Sequence, residues 1–209
     1  MNGSPAAYFS AVQATTGWDR ALESFARFCG AQSGWRVLDV GCGPGGLARH
    51  LAALGCVPIG LDRDMEMAVL AAHSNRPKLE CLQGDARRLP FTAEGFDLVT
   101  ATNVIFLLDH PQEGLAEMAR VVRRGGRLAM LNPSEHLSNG SAAALADERG
   151  LTGIERTSLL GWARAAEERH RFSETQTGRM LELAGCQVIE TGTRMGPGFA
   201  RLTLAERTQ

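Results

Sequence analysis

The chain has 209 residues, 44% of them hydrophobic, and a formal net charge of −1. This length is enough for one domain with a full core. The near-zero charge provides no basic field that would attract nucleic acid or an anionic membrane, so neither is expected as a partner. The apolar runs are too short to cross a bilayer, and residues 1–10 lack the regions of a signal peptide, so a cytoplasmic protein is expected.

Helices and strands alternate regularly in the first two thirds of the sequence. A helix precedes the first strand, because Trp18, Leu22, Phe25 and Cys29 recur at the spacing of one helix face. Short apolar runs predict strands at 36–40, 57–62, 79–83, 96–101 and 127–131. The segments between them predict helices at 46–54, from the Asp64 cap through Ser74, and from Pro111 to Gly125. This alternation predicts a parallel sheet that is covered on both faces.

The pattern changes after residue 132, where two helical segments, 141–149 and 157–171, follow without a strand between them. Ser173 and Gln176 form a capping box for a helix ending near Gly185, and the last residues predict a hairpin around a Gly/Pro turn. We therefore predict one α/β domain, residues 1–209, with a Rossmann-like, doubly wound, mostly parallel sheet of seven strands and a C-terminal antiparallel hairpin. Its parts are N-terminal helices (1–35), a cofactor-binding core (36–134), a helical cap inserted after strand five (135–172), and the last helix with the hairpin (173–209).

The cysteines are scattered along the chain, at Cys29, Cys42, Cys56, Cys81 and Cys186. An odd number without a C-x-x-C motif favours buried, reduced thiols over a disulfide framework or a zinc site. We therefore expect no metal.

A glycine-rich turn follows the first predicted strand. Gly41, Gly43 and Gly46 satisfy G-x-G-x-x-G between a strand and a helix, but Asp39 stands two residues before the first glycine. In a dinucleotide site this carboxylate would face and repel a pyrophosphate. It suits a ligand with a cationic end, such as S-adenosylmethionine with its ammonium and sulfonium groups. The alternative is that Asp39 is a structural cap of the turn.

Five motifs in order resemble those of class I S-adenosylmethionine-dependent methyltransferases, close to the small-molecule group that includes ubiquinone and menaquinone C-methyltransferases. They are VLDVGCGPG, IGLDRD, GDARRLPF, FDLVTATNVIFLLDHP and EMARVVRRGGRLAMLNP, and the match runs continuously over 37–133. Ordered motifs are a much more specific signal than one Gly-rich loop. The resemblance implies S-adenosylmethionine as cofactor and S-adenosylhomocysteine as product.

The resemblance also implies roles for individual residues. Asp39 and the turn of Gly41, Cys42 and Gly43 would hold the methionine and ribose part of the cofactor. Asp62 would accept hydrogen bonds from the ribose hydroxyls, at about the spacing from the last glycine that a ribose-binding acid has; its alternative is a strand-end helix cap.

Further along the chain, Asp85 and the N–H of Ala86 would recognise the adenine edge, although Asp85 could equally be a turn residue. Arg63 stands where the family often has an apolar side chain against adenine, and its guanidinium plane could stack there. Thr102 and Asn103 end the fourth strand, in the crevice where α/β ligands bind.

The acceptor is expected to be a small molecule. Residues 102–105 read TNVI, where many nucleic-acid and amide N-methyltransferases have an Asn/Asp-Pro-Pro-aromatic tetrad. Methyl transfer from a sulfonium needs mainly proximity and orientation. Where a general base helps, His136 is the first candidate and His110 the second, with Glu135 a further polar candidate.

Three other classes of protein are alternatives to a methyltransferase. A non-catalytic cofactor-binding protein or regulator is the main alternative, because no base is obvious. The sequence does not fit a short-chain dehydrogenase, because that class needs a Tyr-x-x-x-Lys pair and the only tyrosine here is Tyr8. Aminopropyl transfer of the spermidine-synthase kind lacks its acidic substrate motif.

Two segments are expected to cover the site. Tyr8, Phe9 and Trp18 precede the first strand, in a segment that lies over the cofactor in related methyltransferases; for Trp18, packing on the sheet is the preferred interpretation. The segment 135–172 begins at the ligand edge and contains Trp162 among many apolar residues. It would cap an acceptor pocket. Its alternative is a dimerisation element, which would make the protein a homodimer.

Overall fold

A computed structural model describes residues 4–73 and 79–209 of the chain. The first half contains helices α1 (Pro5–Thr15), α2 (Trp18–Phe28), α3 (Gly46–Ala53) and α4 (Met65–His73), with strands β1 (Arg36–Val40), β2 (Val57–Asp62), β3 (Glu80–Gln83) and β4 (Phe96–Thr102). The second half contains a 3₁₀ turn (Ile105–Leu107), α5 (Pro111–Val121), β5 (Val122–Pro133), α6 (Asn139–Glu148), α7 (Gly153–Glu168), α8 (Glu174–Leu183), β6 (Cys186–Arg194) and β7 (Ala200–Arg207).

The strands form one sheet in the order β3-β2-β1-β4-β5-β7-β6. β1 to β5 are parallel, whereas β7 runs antiparallel to both of its neighbours, β5 and β6. The predicted fold class, including the antiparallel hairpin at the end, is confirmed. The strand order reverses between β1 and β4, so the crevice at their carboxyl ends is the position where open α/β sheets bind ligands.

Several predicted bounds were wrong. The helix starting at Pro111 ends at Val121 rather than Gly125, because Val122 already pairs with Phe96 of β4 and starts β5. α7 starts at Gly153 and ends at Glu168 rather than spanning 157–171, since the chain returns to the sheet where Phe172 forms an isolated bridge with Ser134.

Smaller shifts affect the other helices of the second half, and one predicted end cannot be compared. The predicted helix 141–149 is α6, two residues earlier at its start and one at its end, and α8 ends at Leu183. The predicted helix end at Ser74 lies outside the described residues.

Local chemistry explains where the helices begin. Ser138 and Ser173 both form capping boxes, at α6 and α8, and the Oδ1 atom of Asp64 accepts the N–H of Glu66 at the start of α4. Such caps satisfy N–H groups that the first helical turn leaves unpaired.

Two apolar clusters cover the two faces of the sheet. One includes Phe106, Leu115 and Met118 around β4 and α5, and the other includes Leu22 and Phe25 of α2. The side chain of Trp162, in α7, is packed against both clusters. Because it touches both layers, it lies where the cap meets an edge of the sheet.

Candidate active site

The turn after β1 allows the backbone to approach a ligand closely. Gly41 and Gly43 have φ angles of +68° and +51°, which glycine adopts without strain. The N–H groups of Gly41 and Cys42 both donate to the carbonyl of Leu61, at 2.7 and 3.0 Å, so β2 holds the turn. A Cβ on Gly41 would collide with Cγ2 of Val104. The turn therefore has no room for a side chain at its first glycine.

Asp39 lies beneath this turn and is only 1% exposed. Its Oδ1 accepts the hydroxyl of Thr100, on neighbouring β4, at 2.8 Å, while its Oδ2 is buried and has no partner. Burial raises the pKa of Asp39 to about 7, with a further increase from the charge of Asp62, although the Thr100 hydrogen bond opposes the shift. An unpartnered buried carboxylate oxygen is suited to a cationic ligand group.

Asp62, at the end of β2, holds the turn and the next helix together. Its Oδ2 accepts the N–H of Gly43 at 2.8 Å and its Oδ1 accepts the N–H of Asp64 at 2.9 Å. A carboxylate oxygen can accept a second hydrogen bond, so each of these two oxygens can also accept one from a hydroxyl of a diol. The N-terminal N–H of α4 is capped by Asp64, not Asp62.

The loop after β3 contains an ion pair that the sequence did not predict. Arg87 donates to both carboxylate oxygens of Asp85, with its Nη2 2.7 Å from Oδ2. These hydrogen bonds lower the pKa of Asp85 to about 2. Ala86 is buried between the two, and Arg63 is exposed. Asp85 is therefore ionised and its orientation is fixed by Arg87.

The end of β4 presents two polar side chains. The Oγ1 of Thr102 is buried without a partner. Asn103 has a φ of +57°, uncommon for a residue other than glycine, and its N–H donates to the carbonyl of Leu131 in β5 at 2.7 Å. Such a conformation persists only where its surroundings impose it, and it is frequent at functional sites.

The cap reaches this point through one tryptophan. The indole Nε1 of Trp162 donates to the Oδ1 of Asn103 at 3.1 Å. The ring of Trp162 also meets Trp18, the first residue of α2, edge to face at 5.9 Å between centroids. Trp18 thus packs on the α2 cluster, as preferred from the sequence, and also contacts the cap.

The two candidate bases lie at different places on the ligand edge. His136 is exposed just after β5, with its Cδ2 3.6 Å from the position of a Cβ on Gly198, in the β6–β7 turn. His110 is the exposed N-cap residue of α5, and its ring makes no capping hydrogen bond. Their role as bases stays a prediction.

Glu135 forms an ion pair with Arg201 and is therefore not available as a general base. Both of its carboxylate oxygens accept hydrogen bonds from Nη2 of Arg201, at 2.9 Å each. The Arg201 side chain is only 6% exposed. Burial alone would raise the pKa of Glu135, but the Arg201 hydrogen bonds outweigh it and lower the pKa below its ordinary value. The same guanidinium donates to the carbonyl of Phe172, so it connects both ends of the cap.

Sequence reasoning missed three polar residues that the structure brings to these positions. They are Thr100 beneath Asp39, Arg201 in β7, and Gln13 in α1, whose Oε1 is buried without a partner. A signal was present in each case, because the polar residue stands between two apolar neighbours, in FDLVTAT, ARLTLAER and PAAYFSAVQAT.

The cysteines make no disulfide in the described structure. Cys29, Cys42, Cys56 and Cys186 are buried and Cys81 is half-buried. Over residues 4–73 and 79–209, no cluster of three or more His, Cys, Asp or Glu side chains could hold a metal ion. Within the same ranges, no helix has the length and apolarity needed to cross a membrane.

Known proteins resemble the central part of the chain. Residues 38–130 match the family described as "Methyltransferase domain". A phosphatidylethanolamine N-methyltransferase from Cereibacter sphaeroides is 35% identical over 134 residues, 62% of this chain and 63% of that protein. A demethylmenaquinone methyltransferase from Renibacterium salmoninarum is 37% identical over 101 residues, 48% of this chain and 42% of that protein. The matches thus span less than two thirds of these relatives.

Solved structures resemble the whole chain. The magnesium protoporphyrin IX methyltransferase of Synechocystis, solved with bound S-adenosylhomocysteine, aligns with a TM-score of 0.70 and 18% identity over 100% of this chain and 90% of that one. At that identity the likeness concerns the fold. Residues 38–130 match the methyltransferase-domain family, and the chain has the fold of the class I S-adenosylmethionine-dependent methyltransferases, which confirms the resemblance of its five motifs to that family.

Proposed function

We propose that the protein transfers a methyl group from S-adenosylmethionine to a small-molecule acceptor. The observation that supports this most is a pair of buried oxygens without partners, Asp39 Oδ2 and Thr102 Oγ1. They lie near the glycine-rich turn, whose backbone a ligand can approach closely. Buried polar atoms without partners are rare in native proteins. An ammonium group can donate to both, so the residues fit the amino-acid end of this cofactor.

The remaining cofactor contacts follow the strand ends. We assign the ribose hydroxyls to Asp62, the adenine edge to Asp85 and Ala86, and the adenine face to Arg63. The turn of Gly41, Cys42 and Gly43 supplies backbone contacts. When bound, the cofactor supplies a methyl group on a sulfonium, which transfers without further activation.

The chain contributes to the reaction mainly by positioning. Asn103 and Trp162 are hydrogen-bonded where β4 ends, and the cap, 135–172, excludes water and orients the acceptor. His136, or else His110, takes a proton when the acceptor loses one. Glu135 is excluded from this role by its pairing with Arg201.

The acceptor class follows from the relatives and the cap. The matched relatives are named for phosphatidylethanolamine and demethylmenaquinone, both small molecules with apolar parts. The formal net charge of −1 disfavours a nucleic-acid acceptor or an anionic membrane surface. We place the protein in the cytoplasm and treat a homodimer as an outcome to be tested.

Titration calorimetry tests the cofactor assignment. Wild type should bind S-adenosylhomocysteine more tightly than NAD, and Asp62→Ala should weaken that binding by about tenfold or more, because a diol loses its acceptor. Asp64→Ala is the matched control, since it removes a carboxylate two residues further along that caps α4, while the backbone N–H of Asp64 that donates to Asp62 is kept. Tighter binding of NAD, or unchanged affinity in Asp62→Ala, would contradict the assignment.

Turnover separates an enzyme from a non-catalytic binding protein. Wild type should release S-adenosylhomocysteine from S-adenosylmethionine when incubated with fractionated small-molecule extracts. Binding of the cofactor without product in any fraction would favour the regulator.

A further inference from the structure

Helix α1 contacts helices of both the core and the cap. It packs against α2, α4 and α7, and thus between the cofactor-binding core and the cap. Ser4 caps its N-terminus, and the Ser4 hydroxyl donates to Oε1 of Glu66 at 2.6 Å, in the first turn of α4. α4 begins three residues after Asp62, so this bond fixes one end of α1 beside the proposed ribose position.

Gln13 is directed inward from α1. Its Oε1 lies 2.5 Å from the position that a Cβ on Gly46 would take, so only glycine at the start of α3 leaves room for the carboxamide. A cleft of about 250 Å³ lies beside it, lined by Ser10, Gln13, Ala14, Asp19, Pro44 and Arg49. The cleft therefore separates α1 from the glycine-rich turn that contains Pro44.

Three buried oxygens without partners lie on elements that meet near the glycine-rich turn. Among the described residues, three buried side-chain oxygens have no hydrogen-bond partner: Gln13 Oε1, Asp39 Oδ2 and Thr102 Oγ1. Asp39 is the penultimate residue of β1 and Thr102 is the last residue of the neighbouring parallel strand β4, while Gln13 contacts Gly46, which closes the glycine-rich turn after Asp39. Three unrelated elements thus leave a polar atom unsatisfied around the same turn. One polar ligand bound at this turn would supply a partner to all three atoms, which buried polar groups in native proteins generally have.

We propose that Gln13 binds the amino-acid end of the cofactor, opposite Asp39; this rests on the proposed function. A carboxamide accepts from an ammonium through Oε1 and donates to a carboxylate through Nε2, so it suits a zwitterion. The carboxylate of Asp39 attracts the ammonium group of the cofactor, and Gln13 adds an uncharged hydrogen-bonding contact from α1. Cofactor binding therefore fixes α1 in place.

The test compares two ligands that differ only at this end. S-adenosylhomocysteine carries the amino-acid group, whereas 5′-methylthioadenosine has the same adenosine and thioether sulfur without it. In Gln13→Met, which keeps the side-chain length, S-adenosylhomocysteine should bind about tenfold more weakly. The affinity for 5′-methylthioadenosine should stay within about twofold of wild type. Gln187→Met, at an exposed position of β6, is the matched control and should change neither.

Three outcomes overturn the inference. They are an equal loss for both ligands, a loss only for 5′-methylthioadenosine, or no loss for either. If Gln13→Met does not fold, as judged by its melting transition, Gln13→Glu takes its place: it keeps the acceptor for the ammonium but repels the carboxylate, and should weaken only S-adenosylhomocysteine. Failure of wild type to bind S-adenosylhomocysteine at all would instead refute the proposed function.

Discussion

At the scale of single residues, the buried carboxyl of Asp39 should make cofactor binding depend on pH. Its pKa is raised to about 7 by burial, and an ammonium ligand requires the ionised form. Protonation therefore competes with binding below neutrality. We expect S-adenosylhomocysteine to bind about tenfold more weakly at pH 6 than at pH 8, as calorimetry in matched buffers would measure.

The variant Asp39→Asn supplies the control for this pH effect. The pKa of Asp39 is higher in the folded protein than in the unfolded chain, so ionisation of this carboxyl destabilises the fold. The contribution of Asp39 to the free energy of unfolding is therefore lost as pH rises from about 4 through about 7. Asp39→Asn should therefore melt higher than wild type at pH 8 in the absence of ligand, bind more weakly, and show a flat pH profile. A pH profile that persists in Asp39→Asn would assign the titration to another group.

Single residues also mark how far sequence reasoning reaches. The glycine turn, Asp39 and Asp62 could be located because their motif spacing is fixed by backbone geometry. The Arg87 partner of Asp85 and the Trp162 partner of Asn103 could not, because side-chain pairing depends on rotamers and on elements up to 59 residues apart. Motifs predict positions along strands, but not which neighbours occupy them.

At the scale of elements, α7 should control the acceptor and not the cofactor. Trp162→Phe keeps an aromatic ring between α7 and Trp18 but removes the indole donor to Asn103. We expect kcat to fall by about tenfold with the acceptor that the turnover screen identifies, because Asn103 loses its orientation. S-adenosylhomocysteine affinity should stay within about twofold of wild type.

Trp35→Phe is the matched control for that prediction, because Trp35 stacks on Arg127 at the opposite, amino-terminal edge of the sheet. It should leave kcat unchanged. Light scattering on Trp162→Phe addresses the alternative that the cap is a dimer arm: a change in molecular mass relative to wild type, with unaltered kcat, would favour that alternative.

Element bounds show a second limit of the sequence. β1 and β2 were predicted to the residue, since glycine, proline and charged residues bracket their apolar runs. The end of α5 was missed, because Val121 and Val122 continue the apolar stripe while the backbone already enters β5. A bulge in the pairing with β4 decides this boundary, and pairing is a tertiary property.

At the scale of the whole molecule, Arg201 joins parts that are distant in sequence. Its guanidinium contacts Glu135, Phe172, Glu174 and Thr191, from both ends of the cap, α8 and β6. Arg201→Met would remove the buried guanidinium that donates to all four of these groups. We expect the free energy of unfolding to fall by about 2–3 kcal/mol in urea titrations followed by circular dichroism.

Arg194→Met controls for the loss of a charge from the hairpin, because Arg194 is exposed and its guanidinium donates to the carbonyl of the adjacent Thr193. It should change the free energy of unfolding by less than about 0.5 kcal/mol. A similarly small change in Arg201→Met would mean that other contacts, such as the Ser134–Phe172 bridge and the Arg171–Leu137 hydrogen bond, hold the ends of the cap without Arg201.

The position of α1 has a consequence for the timing of the catalytic cycle. The same helix faces the glycine turn through Gln13 and packs on α7 of the cap. On the proposed role of Gln13, we expect the cofactor to enter before α1 packs against the turn and completes the surface that contacts α7. We therefore expect the methyl donor to bind before the acceptor and S-adenosylhomocysteine to be released last, after the eleven-residue helix α1 has moved away from the turn.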